Sequence, residues 1–176
     1  MKNSPLLSIV SRDFLFTRMI STFVRRFQTV TMETGVTIRQ ITLDDSARIA
    51  ELSQQLGYPS SADEIRKRLK ALNDDKDHCT FSAIVEETVV GWIHAYYAVR
   101  IESDPFVEIG GLVIDEIYRG QHIGEKLVTV VTNWARMKGV GALRVRSNTQ
   151  RHPAHQFYKH IGFKEIKEQK IFSLDL

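Results

Sequence analysis

Tyr118-Arg119-Gly120-Gln121-His122-Ile123-Gly124-Glu125-Lys126-Leu127 decides how this chain is read. An apolar run, Ile109-Gly110-Gly111-Leu112-Val113-Ile114, precedes it, and an amphipathic segment follows. Strand, Gly-bearing turn and helix start, in that order, form a cradle for an anion. Backbone N–H groups of the turn and first helical turn converge, and the helix dipole adds roughly half a positive charge. The turn is neither common nucleotide loop. It lacks the Gly-Lys-Ser/Thr ending of a P-loop and the three-glycine dinucleotide spacing.

Outward from this turn, the pattern alternates strands and helices. Residues 36–41 read as a strand. Asp44 or Asp45 caps a helix to about Leu56, and Gly57-Tyr58-Pro59 breaks it. Ser60 or Ser61 caps a second helix to about Leu72. Its Ile65, Leu69 and Leu72 form one stripe, with Arg66, Lys67, Arg68 and Lys70 outside. Strands at 79–86 and 89–101 join through a turn near Glu87-Thr88. Ser103-Asp104-Pro105 reads as a loop, and 106–114 as a strand whose Gly110-Gly111 pair marks a bulge or close backbone approach. The helix after the opening stretch runs to about Lys138 and ends at Gly139. A strand at 142–147, a helix at 153–161 closed by Gly162, and strands at 163–166 and 171–174 complete the order. This is an α/β chain with a mixed sheet and helices on its faces.

The chain has 176 residues, 43% hydrophobic and 26% charged, a balance that can bury a sizeable core. Its net charge of +3 is uneven. Lys2, Arg12, Arg18, Arg25 and Arg26 stand against Asp13 alone in the first 31 residues, so the remainder is slightly acidic. The basic balance therefore belongs to the tail and indicates no nucleic-acid surface on the folded part. Residues 1–35 are expected to be an extension, disordered or loosely docked, and 36–176 the folded domain. A transit peptide, a short amphipathic helix and an over-extended start all fit the tail's composition. Cys79 is the only cysteine, so no internal disulfide and no thiol cluster can form. A reducing, cytoplasmic setting fits. No apolar run approaches the ~18 residues of a membrane span. His152, His155 and His160 raise the question of metal, but the intervening Pro153 and the lack of a nearby acid argue against it. His94 reads as a packed or half-exposed strand residue rather than a ligand.

The stretch Asn148-Thr149-Gln150-Arg151-His152-Pro153-Ala154-His155-Gln156-Phe157-Tyr158-Lys159-His160-Ile161-Gly162-Phe163 sharpens the cradle's meaning. Here the chain resembles the GCN5-related N-acetyltransferase family, over about residues 36–175 and most specifically over 108–163. That family's turn reads Arg/Gln-x-x-Gly-x-Gly/Ala, and this chain offers Arg119, His122 in place of the middle glycine, and Gly124. The later pattern is matched by Asn148, Ala154, Phe157, Tyr158, Gly162 and Phe163. Within the family, 148–163 is most similar to small-molecule amine acetyltransferases, aminoglycoside and aminoalkylphosphonate acetylators among them.

The resemblance implies a sheet splayed between the strands at 106–114 and 142–147, and acetyl-CoA as donor. The pyrophosphate would rest on Arg119, Gly120, Gln121, His122, Ile123 and Gly124, and the pantetheine along Leu112, Val113 and Ile114. It implies that Tyr158 protonates the departing thiolate. A phenol, with a pKa of about 10, remains protonated at neutral pH. Glu108, a carboxylate in an otherwise apolar strand, is the candidate base; the other reading pairs it with Arg100 or Arg146 at the strand's end. Asn148 either bonds the pantetheine or orders its own loop. Glu102, Asp104 and Arg151 are further charged groups near the expected site. The acceptor would be a primary amine of a small molecule, which attacks the thioester directly in a ternary complex since no cysteine is placed as nucleophile. A protein or peptide acceptor and a non-catalytic acyl-CoA-binding module are the alternatives. Neither nucleic acid nor membrane is an expected partner, and a homodimer is compatible with the reading.

Overall fold

The computed structural model describes residues 30–31 and 35–176, so most of the expected N-terminal extension lies outside the described residues. The chain falls into two compact units that divide between Arg144 and Val145.

In the first unit the strands are β1 (Val30–Thr31), β2 (Thr37–Gln40), β3 (His78–Val85), β4 (Thr88–Arg100) and β5 (Ser103–Ile114). The helices are α1 (Ser46–Gln55), α2 (Ala62–Asp74) and α3 (Ile123–Met137). A last strand, β6 (Leu143–Val145), spans the division. Sheet order follows chain order from β1 to β6. Neighbours from β1 to β5 are antiparallel. β6 follows β5 through the α3 crossover, the connection that joins parallel strands, so the sheet is mixed. The Val107 N–H donates to the Ala142 carbonyl at 3.0 Å at this junction. β1 pairs Val30 with Ile38, which carries the sheet into the segment assigned to the extension.

Local chemistry explains the elements. Ser61 caps α2 reciprocally: its Oγ accepts from the Glu64 N–H at 3.3 Å, and Glu64 Oε2 accepts from the Ser61 N–H at 2.8 Å. Ile65 and Leu69 are the buried stripe of α2. They join Ile41, Ile49, Leu52, Val89 and Val113 in a core between the first two helices and the sheet. α3 buries Leu127, Val128, Val130, Val131 and Ala135. On β3, Cys79 through Ala83 are all buried, so helices cover both faces of the sheet there.

Three expectations are corrected. The turn after β3 is Glu86-Glu87, both with positive φ (46° and 65°), one residue earlier than expected. Ser103-Asp104-Pro105 is not a loop but the start of β5, because Arg100 pairs with Ser103 across a two-residue turn. Pro105 is tolerated since it falls where the register shifts between Ala98 and Arg100, so its missing N–H breaks no ladder bond. The strands expected at 163–166 and 171–174 do not form. Ile166, Ile171, Phe172 and Leu174 are 72–88% exposed, and β-propensity without a partner ladder makes no strand.

In the second unit, α4 (His152–His160) carries Pro153 in its first turn, where a missing N–H costs nothing. Gly162, at φ 96°, closes it.

Candidate active site

The turn between β5 and α3 has a definite shape. Gly120 and His122 both take left-handed backbone, at φ 77° and 59°. His122 thus adopts the conformation that glycine adopts most easily, and histidine tolerates it better than bulkier residues. It is the residue that caps α3. Ile123, 1% exposed, anchors the helix start in the core. The first helical bond, from Lys126 N–H to the His122 carbonyl at 3.2 Å, leaves the N–H groups of the first turn without intrahelical acceptors. The His122 ring points to Glu125, its Nδ1 2.9 Å from Oε1, and is 69% exposed. Arg119 folds back, its Nε donating to the Ile114 carbonyl at 3.3 Å and its Nη2 lying 3.3 Å from Glu116.

The base of this turn is braced from α1. Arg48 pairs with Asp115 and donates from Nε to the Val89 carbonyl at 3.0 Å. Burial pushes the Asp115 carboxyl upward, but the Ile117 N–H and the Arg48 guanidinium outweigh it and hold it below its ordinary value.

β5 reaches the turn after a bulge at its glycine pair. The β4–β5 register shifts there, with Gly111 opposite His94 and Ile109 opposite Ala95, so Gly110 is the extra residue. A Cβ on Gly110 would lie 2.9 Å from His94 Nδ1, and one on Gly111 2.8 Å from the Trp92 ring. Only glycine fits beneath these side chains. Leu112, Val113 and Ile114 then pair with Ile93, Trp92 and Gly91 of β4. β6 has three residues against twelve in β5, so the two cannot pair along their whole length. Glu108 is buried at 5% exposure, opposite Tyr96, with Arg100 Nη2 at 3.5 Å from its Oε2. The carboxylate is therefore both within the strand and ion-paired. Glu102 sits in the turn before β5, 3.9 Å from Arg100, and Asp104 is exposed.

One face of β3 and β4 carries a ring cluster that sequence reasoning undervalued. His78 Nδ1 lies 2.9 Å from His94 Nε2, and the two rings stack at 5.2 Å and 9°. Tyr96 tilts against both. Burial, with His78 as a second cause, pulls the His94 imidazole down to about 4, so it is neutral at pH 7. Beside it lies a cavity of about 370 Å³ between α1, α2 and the sheet, lined by Ile49, Tyr58, Arg68, Leu69, Trp92 and His94 among others. Its wall includes Gly110 and Gly111.

In the second unit, Asn148 orders its own loop. Its Oδ1 accepts from the Gln150 N–H at 2.9 Å, and its carbonyl accepts from the Arg151 N–H at 2.9 Å. Tyr158 lies between Phe157 and Phe163, with ring centroids at 5.2 and 5.4 Å. Burial pushes its phenol up to about 12, against the opposing pull of the Arg151 charge. Among the described residues, no three His, Cys, Asp or Glu side chains gather to hold a metal ion. Among them too, no helix is long and apolar enough to cross a membrane.

A model of the acetyltransferase (GNAT) family matches residues 46–163. The chain belongs to that family. This GNAT chain is 26% identical over 96 residues to an N-acetylaspartate synthetase of Danio rerio, a match covering 54% of this chain and 33% of that protein. It therefore spans about a third of the length of the curated relative. Its fold is that of the aminoglycoside 6'-N-acetyltransferase AAC(6')-Ih from Acinetobacter baumannii, with a TM-score of 0.72 at 17% identity over 81% of this chain and 99% of that one. It is also that of the aminoglycoside N-acetyltransferase AAC(6')-Iy solved with CoA, with a TM-score of 0.67 at 16% identity over 79% and 99%. The donor of the family is acetyl-CoA. The turn of this GNAT chain suits such a donor, since a Cβ on Gly120 would meet nothing within 4 Å and the α3 N-terminus follows at once.

Proposed function

We propose that the protein transfers the acetyl group of acetyl-CoA to the primary amine of a small molecule by direct attack in a ternary complex. The left-handed turn at Gly120 and His122, opening onto the α3 N-terminus, carries the reading. The pyrophosphate binds the N–H groups from Arg119 to Gly124, and the pantetheine lies along Leu112 to Ile114 as a short added strand. Asn148, which orders its own loop, is assigned to the same donor set. Glu108 takes a proton from the ammonium, directly or through water. The amine nitrogen then attacks the thioester carbonyl, and a backbone N–H near Leu112 or Val113 stabilises the oxyanion. The carbon–sulfur bond breaks, Tyr158 gives its proton to the CoA thiolate, and the proton lost from the attacking nitrogen restores the phenol by way of solvent. The high phenol pKa keeps that proton available.

No acyl-enzyme is required. Cys79 is buried and its thiol is pushed up to about 12 by burial, the opposite of a nucleophile's environment. The same inert thiol suits a reducing, cytoplasmic setting. Thermal shift with acetyl-CoA, read beside thiol release with an amine panel, tests the proposal. Stabilisation together with amine-dependent thiol release is expected. No stabilisation by acetyl-CoA overturns the donor site, and stabilisation without release from any small amine or peptide marks a non-catalytic acyl-CoA-binding module.

A further inference from the structure

On the reading above, the cavity against the ring cluster is the candidate acceptor site, because its wall includes Gly110 and Gly111, immediately before the segment assigned to the donor. Its chemistry narrows the substrate. Six of the fifteen lining residues are Ile or Leu, Trp92 and Tyr58 add flat surface, and Ser53, Ser60 and Thr80 are the hydroxyl residues. Among the described lining residues there is no Asp, Glu or Lys, and Arg68 carries the one full charge. His94 is neutral, so it adds no charge at pH 7. The volume, about 370 Å³, lies at the small end of the range for ligand sites.

A polycation entering such a site would leave each spare ammonium desolvated with no carboxylate to receive it, a cost of several kcal/mol per charge. An anion gains instead. Arg68 Nη1 donates to Ser60 Oγ at 2.8 Å, which uses one of the five guanidinium N–H donors and holds the fork at the cavity's edge. Glu64, one turn earlier, also faces Arg68, but its carboxylate is engaged by the Ser61 N–H and Oγ at 2.8 and 2.9 Å.

We infer that the acceptor is a primary amine with an apolar body and an anionic group that pairs with Arg68, and not a polyamine or an aminoglycoside. The amine lies toward Gly110–Gly111, the apolar body against Trp92 and Leu69, and the anion at the α2 rim.

Two matched pairs of probes differ by one carboxylate: 6-aminohexanoate against pentylamine, and L-phenylalanine against phenethylamine. Spermidine and kanamycin supply the polycations. Thiol release from acetyl-CoA gives kcat/KM for each. The carboxylated member of at least one pair is expected to exceed its partner by about tenfold, the scale of one charge-assisted hydrogen bond. Arg68→Gln should bring that ratio close to one, chiefly through KM, while Lys67→Gln on the same helix leaves it as it is. A preference for spermidine or kanamycin, or equal rates within both pairs, overturns the inference. So does silence from the whole panel while acetyl-CoA still raises the melting temperature. Loss of that stabilisation instead overturns the donor reading on which the inference rests.

Discussion

Protonating His94 should cost the fold a measurable part of its stability. The ring is packed on His78 and Tyr96, and its folded pKa lies at about 4 against an ordinary 6.5. A group with a depressed folded pKa binds its proton more tightly when unfolded. For a basic group, stability is therefore full above the unfolded pKa and is lost as pH falls from 6.5 toward about 4. Each pH unit within that gap is worth about 1.36 kcal/mol. Between about pH 7.5 and about pH 4.5 the loss is roughly 2.5 kcal/mol, since the unfolded imidazole is almost fully protonated at the lower limit and the folded one only partly. Asp45 and Asp115 do not contribute in this window. Both have carboxyls held below their ordinary value of 3.8, so their stabilisation is lost only at lower pH. Urea unfolding at several pH values, for the wild type and for His94→Gln, isolates the effect. The comparison is between slopes against pH, so a uniform loss of stability in the variant does not disturb it. Equal slopes in the two proteins would refute the reasoning.

Other consequences test separate parts of the site. Arg48→Met should destabilise by about 2 kcal/mol, because it leaves the nearly buried Asp115 unpaired at the base of the turn. The urea midpoint reads this. Tyr158→Phe should lower kcat with little change in acetyl-CoA affinity. In the wild type, no loss of activity between about pH 8 and 10 should trace to this phenol, because burial holds its pKa at about 12. Unchanged kcat in the variant would remove Tyr158 from the mechanism. His122→Gly should change stability by less than about 1 kcal/mol, as relief of left-handed strain offsets the added freedom of the unfolded chain and the lost Glu125 contact. Calorimetry should show acetyl-CoA binding as tightly or more tightly, since glycine lets the phosphate approach the backbone more closely.

Much of this was legible in the chain because it is local chemistry. A cap at Ser60 or Ser61, the stop at Gly139 and a bulge or close approach at Gly110-Gly111 follow from what single residues permit their own backbone to do, and the structure places the cap at Ser61 and the bulge at Gly110. The family pattern places glycine at position 122, for close approach or positive φ, and the structure shows His122 in left-handed backbone. The turn at 119–124 and the pattern at 148–163 likewise pointed to an acyl-CoA enzyme before any coordinates.

What the sequence left open depends on partners distant in the chain. Strand propensity at 163–174 was real but found no ladder, and Ser103 became strand because Arg100 lay opposite it. Glu108 could not be told from a surface charge until the structure showed it buried against Arg100. Histidines 16 residues apart became a stacked pair, with the His94 ring neutral at pH 7, only when β3 and β4 aligned them. Arg68 read as one base in a solvated run; the packing of α2 over the sheet put it at the edge of a cavity without carboxylates. The sequence by itself pointed to the family, and through that resemblance to its donor, because the motifs at 119–124 and 148–163 that carry it are contiguous in the chain. Tertiary structure decided the charge and shape of the proposed acceptor pocket, because its walls come from helices and strands that meet only on folding.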